Sequence, residues 1–106
     1  MIKTIVKYPE HEPKVEEINS IDQIETWMEG EFEIAEDDLL PGVYILVNEE
    51  ARGIKPHNFT IQTEGTHDWV YGTSLFIRME EDQIVSLTDQ QIEEIKVYFS
   101  RTRAYK

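Results

Sequence analysis

The chain has 106 residues, an apolar fraction of 40% and no cysteine. This length and composition predict one soluble domain over residues 1–106 with a modest core. The missing cysteines exclude disulfides, thiolate metal sites and thiol nucleophiles. The formal net charge of −12 disfavours direct binding of nucleic acid or of an anionic membrane, because both repel an acidic protein. The first residues carry an apolar run too short for a signal peptide, so we expect a cytoplasmic protein.

The first half of the chain mixes strand and helix signals. Apolar alternation and loop-forming prolines predict three strands, at residues 2–8, 14–18 and 31–35. Between the second and third of these, Ser20 and Gln23 form the S-x-x-Q pattern of a capping box, which predicts a helix over about residues 20–29. In the third strand we expect Phe32 and Ile34 to face inward.

The second half is predicted to contain further strands and a closing helix. Strand character recurs at residues 43–47, 59–62 and 70–79, and the first of these, VYILV, is typical of a central strand. EEDQ at 80–83 predicts a hairpin loop. Thr88 and Gln91 form a second capping box, which predicts a helix over about residues 88–99. The predicted fold class is therefore α+β, a mainly antiparallel sheet of about five to seven strands with two helices packed against it.

Side chains that commonly carry catalysis or bind metals show no recognisable motif. The histidines are His11, His57 and His67, and none forms the H-E-x-x-H pattern of zinc enzymes. Residues 36–38, Glu-Asp-Asp, lack the spacing of a calcium-binding loop, and the glycines lack the spacing of a phosphate-binding loop. We therefore expect a protein that is not an enzyme and that holds neither a metal nor another cofactor.

One segment accounts for the whole charge imbalance. Residues 15–51 hold twelve acids and no lysine or arginine, whereas the rest of the chain holds as many bases as acids. Like charges close together oppose folding, by ~0.2–0.5 kcal/mol for a pair on one helix face. The cluster is either a solvated face that favours solubility or a docking surface for a basic protein. A more specific form of the second hypothesis is that the carboxylates imitate the phosphates of nucleic acid and occupy a DNA-binding groove. The residues expected to form that surface are Asp22, Glu25, Glu29, Glu31, Glu33, Glu36, Asp37 and Asp38.

An alternative from another functional class is a small-molecule-binding or weakly hydrolytic domain that uses His57 or His67 with nearby carboxylates. The geometry of the pockets discriminates between the two. A deep apolar cleft that holds one of these histidines and a convergent carboxylate favours a small molecule, and a shallow convex acidic face favours docking.

Several short stretches occur in an order that resembles a known family. They are EPKVEEI (12–18), GEFEI (30–34), YILVNEEARGIKPHN (44–58), YGTSLFI (71–77) and SLTDQQIEEI (86–95). The order is similar to that of a family of small domains of unknown function in phages, plasmids and Firmicute genomes. Glu29-Gly30 departs from the family's Gly-Gly, and Phe59 stands where the family tends to have arginine. The resemblance implies a mobile-element gene, an accessory or counter-defence protein, and brings no established active site.

Overall fold

The computed structural model describes residues 1–28, 30–51 and 53–103, which form strands, two α-helices and one short 3-10 helix. The strands are β1 (Ile2–Lys7), β2 (Lys14–Ile18), β3 (Glu33–Ala35), β4 (Tyr44–Val47), β5 (His57–Thr63), β6 (Thr66–Tyr71), β7 (Ser74–Glu80) and β8 (Gln83–Val85). The helices are α1 (Ile21–Met28), α2 (Asp89–Arg103) and the 3-10 helix Glu49–Ala51. These elements confirm the predicted α+β class.

The strands build one large and one small antiparallel sheet. The large sheet has the strand order β2-β1-β7-β4-β3, and β8 pairs with the end of β7. Its six strands agree with the predicted five to seven. β5 and β6 form a separate two-stranded sheet, called here the hairpin.

The central strands of the large sheet bury both of their faces because apolar residues occupy successive positions. Ile5 and Phe76 point to one face, whereas Val6 and Leu75 point to the other. The first face packs against α2 and the hairpin and is called here the α2 face. The second packs against α1 and is called the α1 face. The protein therefore has two hydrophobic clusters, one on each side of a shared sheet.

Local sequence signals set the beginnings of the helices. The Thr88 hydroxyl accepts from the Gln91 amide at 3.1 Å, and the Gln91 side chain accepts from the Thr88 amide at 2.9 Å, so the predicted capping box is complete. The predicted box at α1 is wrong in detail. There the Gln23 amide donates to the Ser20 carbonyl, and the Gln23 side chain accepts from the amide of Asn19. α2 continues past the predicted end at residue 99, since no glycine or proline follows there.

The hairpin is the main departure from the predicted secondary structure. The sequence predicts strand character at 59–62 and again only from residue 70, whereas β6 begins at Thr66 and the chain turns at Gly72. The start of β6 was missed because Thr66 and the three residues after it are exposed and give no apolar alternation. The strand pairing shifts at a bulge between His57 and Phe59. As a result the His57 side chain points outward and the Phe59 side chain points into the core.

Candidate functional site

The acids predicted to form one docking surface lie on both faces of the large sheet. Glu33 pairs with Val47, which packs on the α2 face, so Glu33 points to that side. Glu25 on α1 and Glu31 just before β3 instead line one shallow groove on the α1 face. Of the other predicted residues, Asp22, Glu36 and Asp38 are exposed, Asp37 is buried, and Glu29 lies outside the described residues. The described members of the set therefore do not share one surface, and they do not form a single row like the phosphates of a nucleic-acid strand.

Asp37 is wrongly assigned to an exposed surface, because its side chain is only 3% exposed. One carboxylate oxygen accepts from the Leu39 amide at 2.8 Å. The other accepts from the Gln62 amide at 3.0 Å and from the Tyr98 hydroxyl at 2.9 Å. These partners belong to the loop after β3, to β5 and to α2. Asp37 is therefore a structural residue that joins three parts of the fold.

The bond to Asp37 also changes the acidity of Tyr98. Burial of the phenol, then the hydrogen bond to the carboxylate and its negative charge, raise the pKa of Tyr98 well above its ordinary value. The same hydroxyl lies 2.8 Å from the carbonyl oxygen of Thr60 on β5. Tyr98 therefore stays protonated, and its single hydroxyl proton is shared between two acceptors, the Asp37 carboxylate in the loop after β3 and the Thr60 carbonyl in the hairpin.

The exposed acids of the predicted set lack cationic partners within the described residues. Arg78 pairs with Glu80 at 2.6 Å and Lys96 with Glu93 at 3.9 Å, and neither pair includes a member of the set. Exposed carboxylates without partners are common on acidic proteins and raise solubility. They also remain available for a cation brought by a partner.

The α1 face carries an apolar groove beside α1, with a volume of about 390 Å³. Its floor is made of side chains of the second cluster, among them Ile24, Leu46 and Ile77. Its walls are the less buried side chains Ile2, Phe32, Ile34, Met79 and Ile84. Ile34, which the sequence placed in the interior, is 53% exposed, because β3 is an edge strand and α1 does not reach over it. Phe32 lines both this groove and the shallow acidic groove, so the two are adjacent.

The shortness of α1 explains why this groove stays open. α1 has 8 residues and is therefore about 12 Å long. Five strands at a spacing of about 4.8 Å span about 19 Å between their outer axes. One short helix cannot cover such a sheet, and the helix predicted from the sequence, over about residues 20–29, is also short. The shortness of the predicted helix was therefore the signal in the sequence from which the open groove could have been predicted.

A second and larger groove, called here the hairpin groove, runs between α2 and the hairpin. Its volume is about 950 Å³ and it is open along one side. Thr60, Gln62 and His67 form the hairpin wall, and the exposed side of α2 forms the other. Gln90, Glu93, Glu94, Val97 and Tyr98 make up the α2 wall, and Asp37 and Leu39 close one end. Leu39 and Val97 are 66% and 46% exposed, so much of the groove surface is apolar.

The hairpin presents aromatic and imidazole rings on the face that borders this groove. Cross-strand pairing sets His57 opposite Tyr71, Thr60 opposite Trp69 and Gln62 opposite His67, so all six side chains share one face. The ring centroids of His57 and Trp69 are 5.5 Å apart, and those of His57 and Tyr71 are 5.7 Å apart. Trp69 is 59% exposed. The face is a polar-aromatic surface continuous with the hairpin groove.

The two histidines considered for catalysis, His57 and His67, both lie on the hairpin. The Nε2 atom of His57 lies 3.4 Å from the Thr60 hydroxyl, which is a weak contact. His67 lines the hairpin groove together with Asp37, Glu93 and Glu94, so the arrangement expected for a small-molecule site is present in part.

Among residues 1–28, 30–51 and 53–103, no group of three or more histidines and acids is placed to hold a metal ion. Neither helix in the described part of the chain is long and apolar enough to cross a membrane.

The residues that carry the family resemblance have structural tasks. The Asn48 amide donates to the Met28 carbonyl at the end of α1, and its oxygen accepts from the Glu50 amide at the start of the 3-10 helix. The Asn58 amide donates at 2.7 Å to the carbonyls of both Lys7 and Gly72, which attaches the hairpin to β1. Its oxygen accepts from the buried Lys7 ammonium at 2.9 Å.

Comparison with known proteins places the chain in a family without assigning an activity. No curated protein and no solved structure matches this chain. One family model matches residues 2–100, which is nearly the whole sequence and includes every strand, α1 and most of α2. The chain belongs to the DUF3846 family, a domain of unknown function.

Proposed function

We propose that this protein is a non-enzymatic docking domain that binds a basic amphipathic helix of another protein on its α1 face. The observation that carries the proposal is the apolar groove bordered by unpaired carboxylates. A specific interface needs an apolar centre as well as a charged rim, because screened surface charges alone contribute little affinity. The groove supplies the centre, and Glu25 and Glu31 supply part of the rim.

The charge of the surroundings identifies the chemistry of the partner. Asp82 lines the groove on the side of β8, opposite the acids near β3. A helix with lysine or arginine on both sides of an apolar stripe matches this distribution. A second copy of the chain does not, since each copy carries a net charge of −12 and the same acidic rim. In the mobile-element setting that the resemblance implies, a host DNA-binding enzyme is one protein with suitably basic helices.

A selection from displayed peptides tests this proposal even though the partner is unidentified. The library contains random peptides of about 16 residues, enough for about four helical turns. We expect the wild-type protein to enrich peptides with apolar residues at i, i+3, i+4 and i+7 and with lysine or arginine between them. Isotope-labelled protein should then show shifts of the Ile34, Ile77 and Ile84 methyl signals on addition of a selected peptide.

Two matched substitutions assign the binding to the groove. Ile34→Asp should abolish it, whereas Ile54→Asp should not, because Ile54 is a still more exposed isoleucine in a loop that lines neither groove. Glu25→Lys with Glu31→Lys should weaken binding steeply at low salt, and Glu16→Lys with Glu17→Lys should weaken it less. Enrichment that survives Ile34→Asp, or peptides without basic residues, would contradict the proposal.

A further inference from the structure

We infer that the hairpin groove is a binding site for a linear aliphatic polyamine. The inference concerns the α2 face and does not depend on the docking proposed for the α1 face. A groove of about 950 Å³ is in the size range of small-molecule sites, and it combines the apolar side chains of Leu39 and Val97 with polar and charged ones. Its chemistry, rather than its size, identifies the ligand.

The polar groups of the groove select a cation. Glu93 and Glu94 lie on the α2 wall, and no lysine or arginine lines the groove within the described residues. Lys96 approaches Glu93 only at 3.9 Å, and both side chains are exposed, so this contact leaves the carboxylates largely available. The exposed acids Glu36 and Asp38 flank the end of the groove, because their segment is bonded to the last residues of β5: the Asp38 amide donates to the Gln62 carbonyl, and the Thr63 hydroxyl donates to the Glu36 carbonyl. The groove therefore carries negative charge at one wall and at one end.

The spaces between these charges select a hydrocarbon linker. Leu39 and Val97 present exposed apolar surface inside the groove, where a small hydrated metal ion gains nothing. A polyamine alternates ammonium groups with short methylene chains, so its charges can reach separate carboxylates while its carbons cover the apolar side chains. Trp69 is the cross-strand neighbour of Thr60, which lines the groove, and its exposed ring offers an aromatic face to a terminal ammonium. Carboxylates, apolar contacts and an exposed indole together fit this class of ligand.

Titration of isotope-labelled protein with spermidine tests the inference. We expect saturable shifts of the amide signals of Leu39, Gln62 and Val97. The two tryptophans give an internal comparison, because Trp69 is the cross-strand neighbour of Thr60 in the groove wall and Trp27 packs against the cluster under α1. The indole signal of Trp69 should shift and that of Trp27 should stay. Replacing both Glu93 and Glu94 by glutamine should raise the dissociation constant at least about tenfold, through loss of charge-assisted hydrogen bonds.

Matched controls separate a built site from general attraction of cations to an acidic protein. Glu16→Gln with Glu17→Gln makes the same change in charge on β2, away from the groove, and should alter the dissociation constant less than about twofold. Hexane-1,6-diol should not bind, and magnesium chloride at equal ionic strength should not reproduce the shifts. Equal effects of the two double variants, shifts scattered over all acids, or displacement by magnesium would overturn the inference. Ile34→Asp should leave spermidine binding unchanged, because Ile34 is on the other face of the sheet. The polyamine inference can therefore hold even if the docking proposal fails.

Discussion

The two faces of the large sheet differ in how completely they are covered. On the α2 face, a helix of 15 residues and the hairpin enclose three phenylalanine rings, Phe59, Phe76 and Phe99, whose centroids lie 5.0–5.6 Å apart. On the α1 face, a helix of 8 residues leaves apolar side chains open in a groove. Contact between aromatic rings adds to the gain from burial. The comparison teaches that the two faces of one sheet can differ in how much apolar surface their helices leave exposed.

The largest effect should come from the aromatic centre of the α2 face. Phe99→Ala removes a buried ring that touches both other phenylalanines, so we expect the free energy of unfolding to fall by about 3–5 kcal/mol. Met79→Ala in the apolar groove should cost about 1 kcal/mol or less, because its side chain is already partly exposed. Chemical denaturation measures both values. Equal losses would show that the two faces contribute alike.

Asp37 and Asp38 test whether neighbouring acids of one predicted cluster have different tasks. Asp37→Ala leaves the Leu39 and Gln62 amides without their acceptor and removes one of the two acceptors near the Tyr98 hydroxyl, and we expect a loss of about 2–3 kcal/mol. Asp38→Ala should change stability by about 0.5 kcal/mol or less, since its side chain is exposed. Denaturation of the two variants under the same conditions gives the comparison. If Asp37→Ala lost no more stability than Asp38→Ala, Asp37 would belong with the exposed acids and would not be a structural residue.

What the sequence could predict follows from the range of the interactions involved. The capping box at Thr88 and the short span of α1 depend on neighbours within four residues, and both helices were placed within a few residues of their ends. The burial of Asp37 depends on donors 25 and 61 positions away, which no local pattern specifies. Trp69 lies on a strand whose outward side carries polar and aromatic residues, so its exposure depends on the pairing of the whole hairpin.

Tyr98 links the α2 face to pH. Because its pKa is raised in the folded protein, the folded state holds a proton that the unfolded chain releases above about pH 10. This contribution to stability is fully present below pH 10 and is lost as the pH rises from there towards the folded-state pKa. Tyr98→Phe should cost about 1 kcal/mol near neutral pH, for one hydrogen bond, and should remove this alkaline component. Unfolding curves at neutral and alkaline pH would contradict the assignment if wild type and variant kept a constant difference.

The smallest loss of stability is expected at Ile34. A small loss is expected because the α1 face leaves this side chain largely uncovered. Ile34 sits on the edge strand β3 with about half of its surface in water, so Ile34→Gln should change the free energy of unfolding by about 0.5 kcal/mol or less. Ile54→Gln, at a more exposed isoleucine outside both grooves, provides the reference value. If thermal and chemical denaturation show a loss at Ile34 above about 1.5 kcal/mol, the side chain belongs to the packed core. If the loss of stability is small, the fold does not require the Ile34 side chain. Loss of peptide binding by Ile34→Asp would then report on the apolar groove and not on unfolding of the protein.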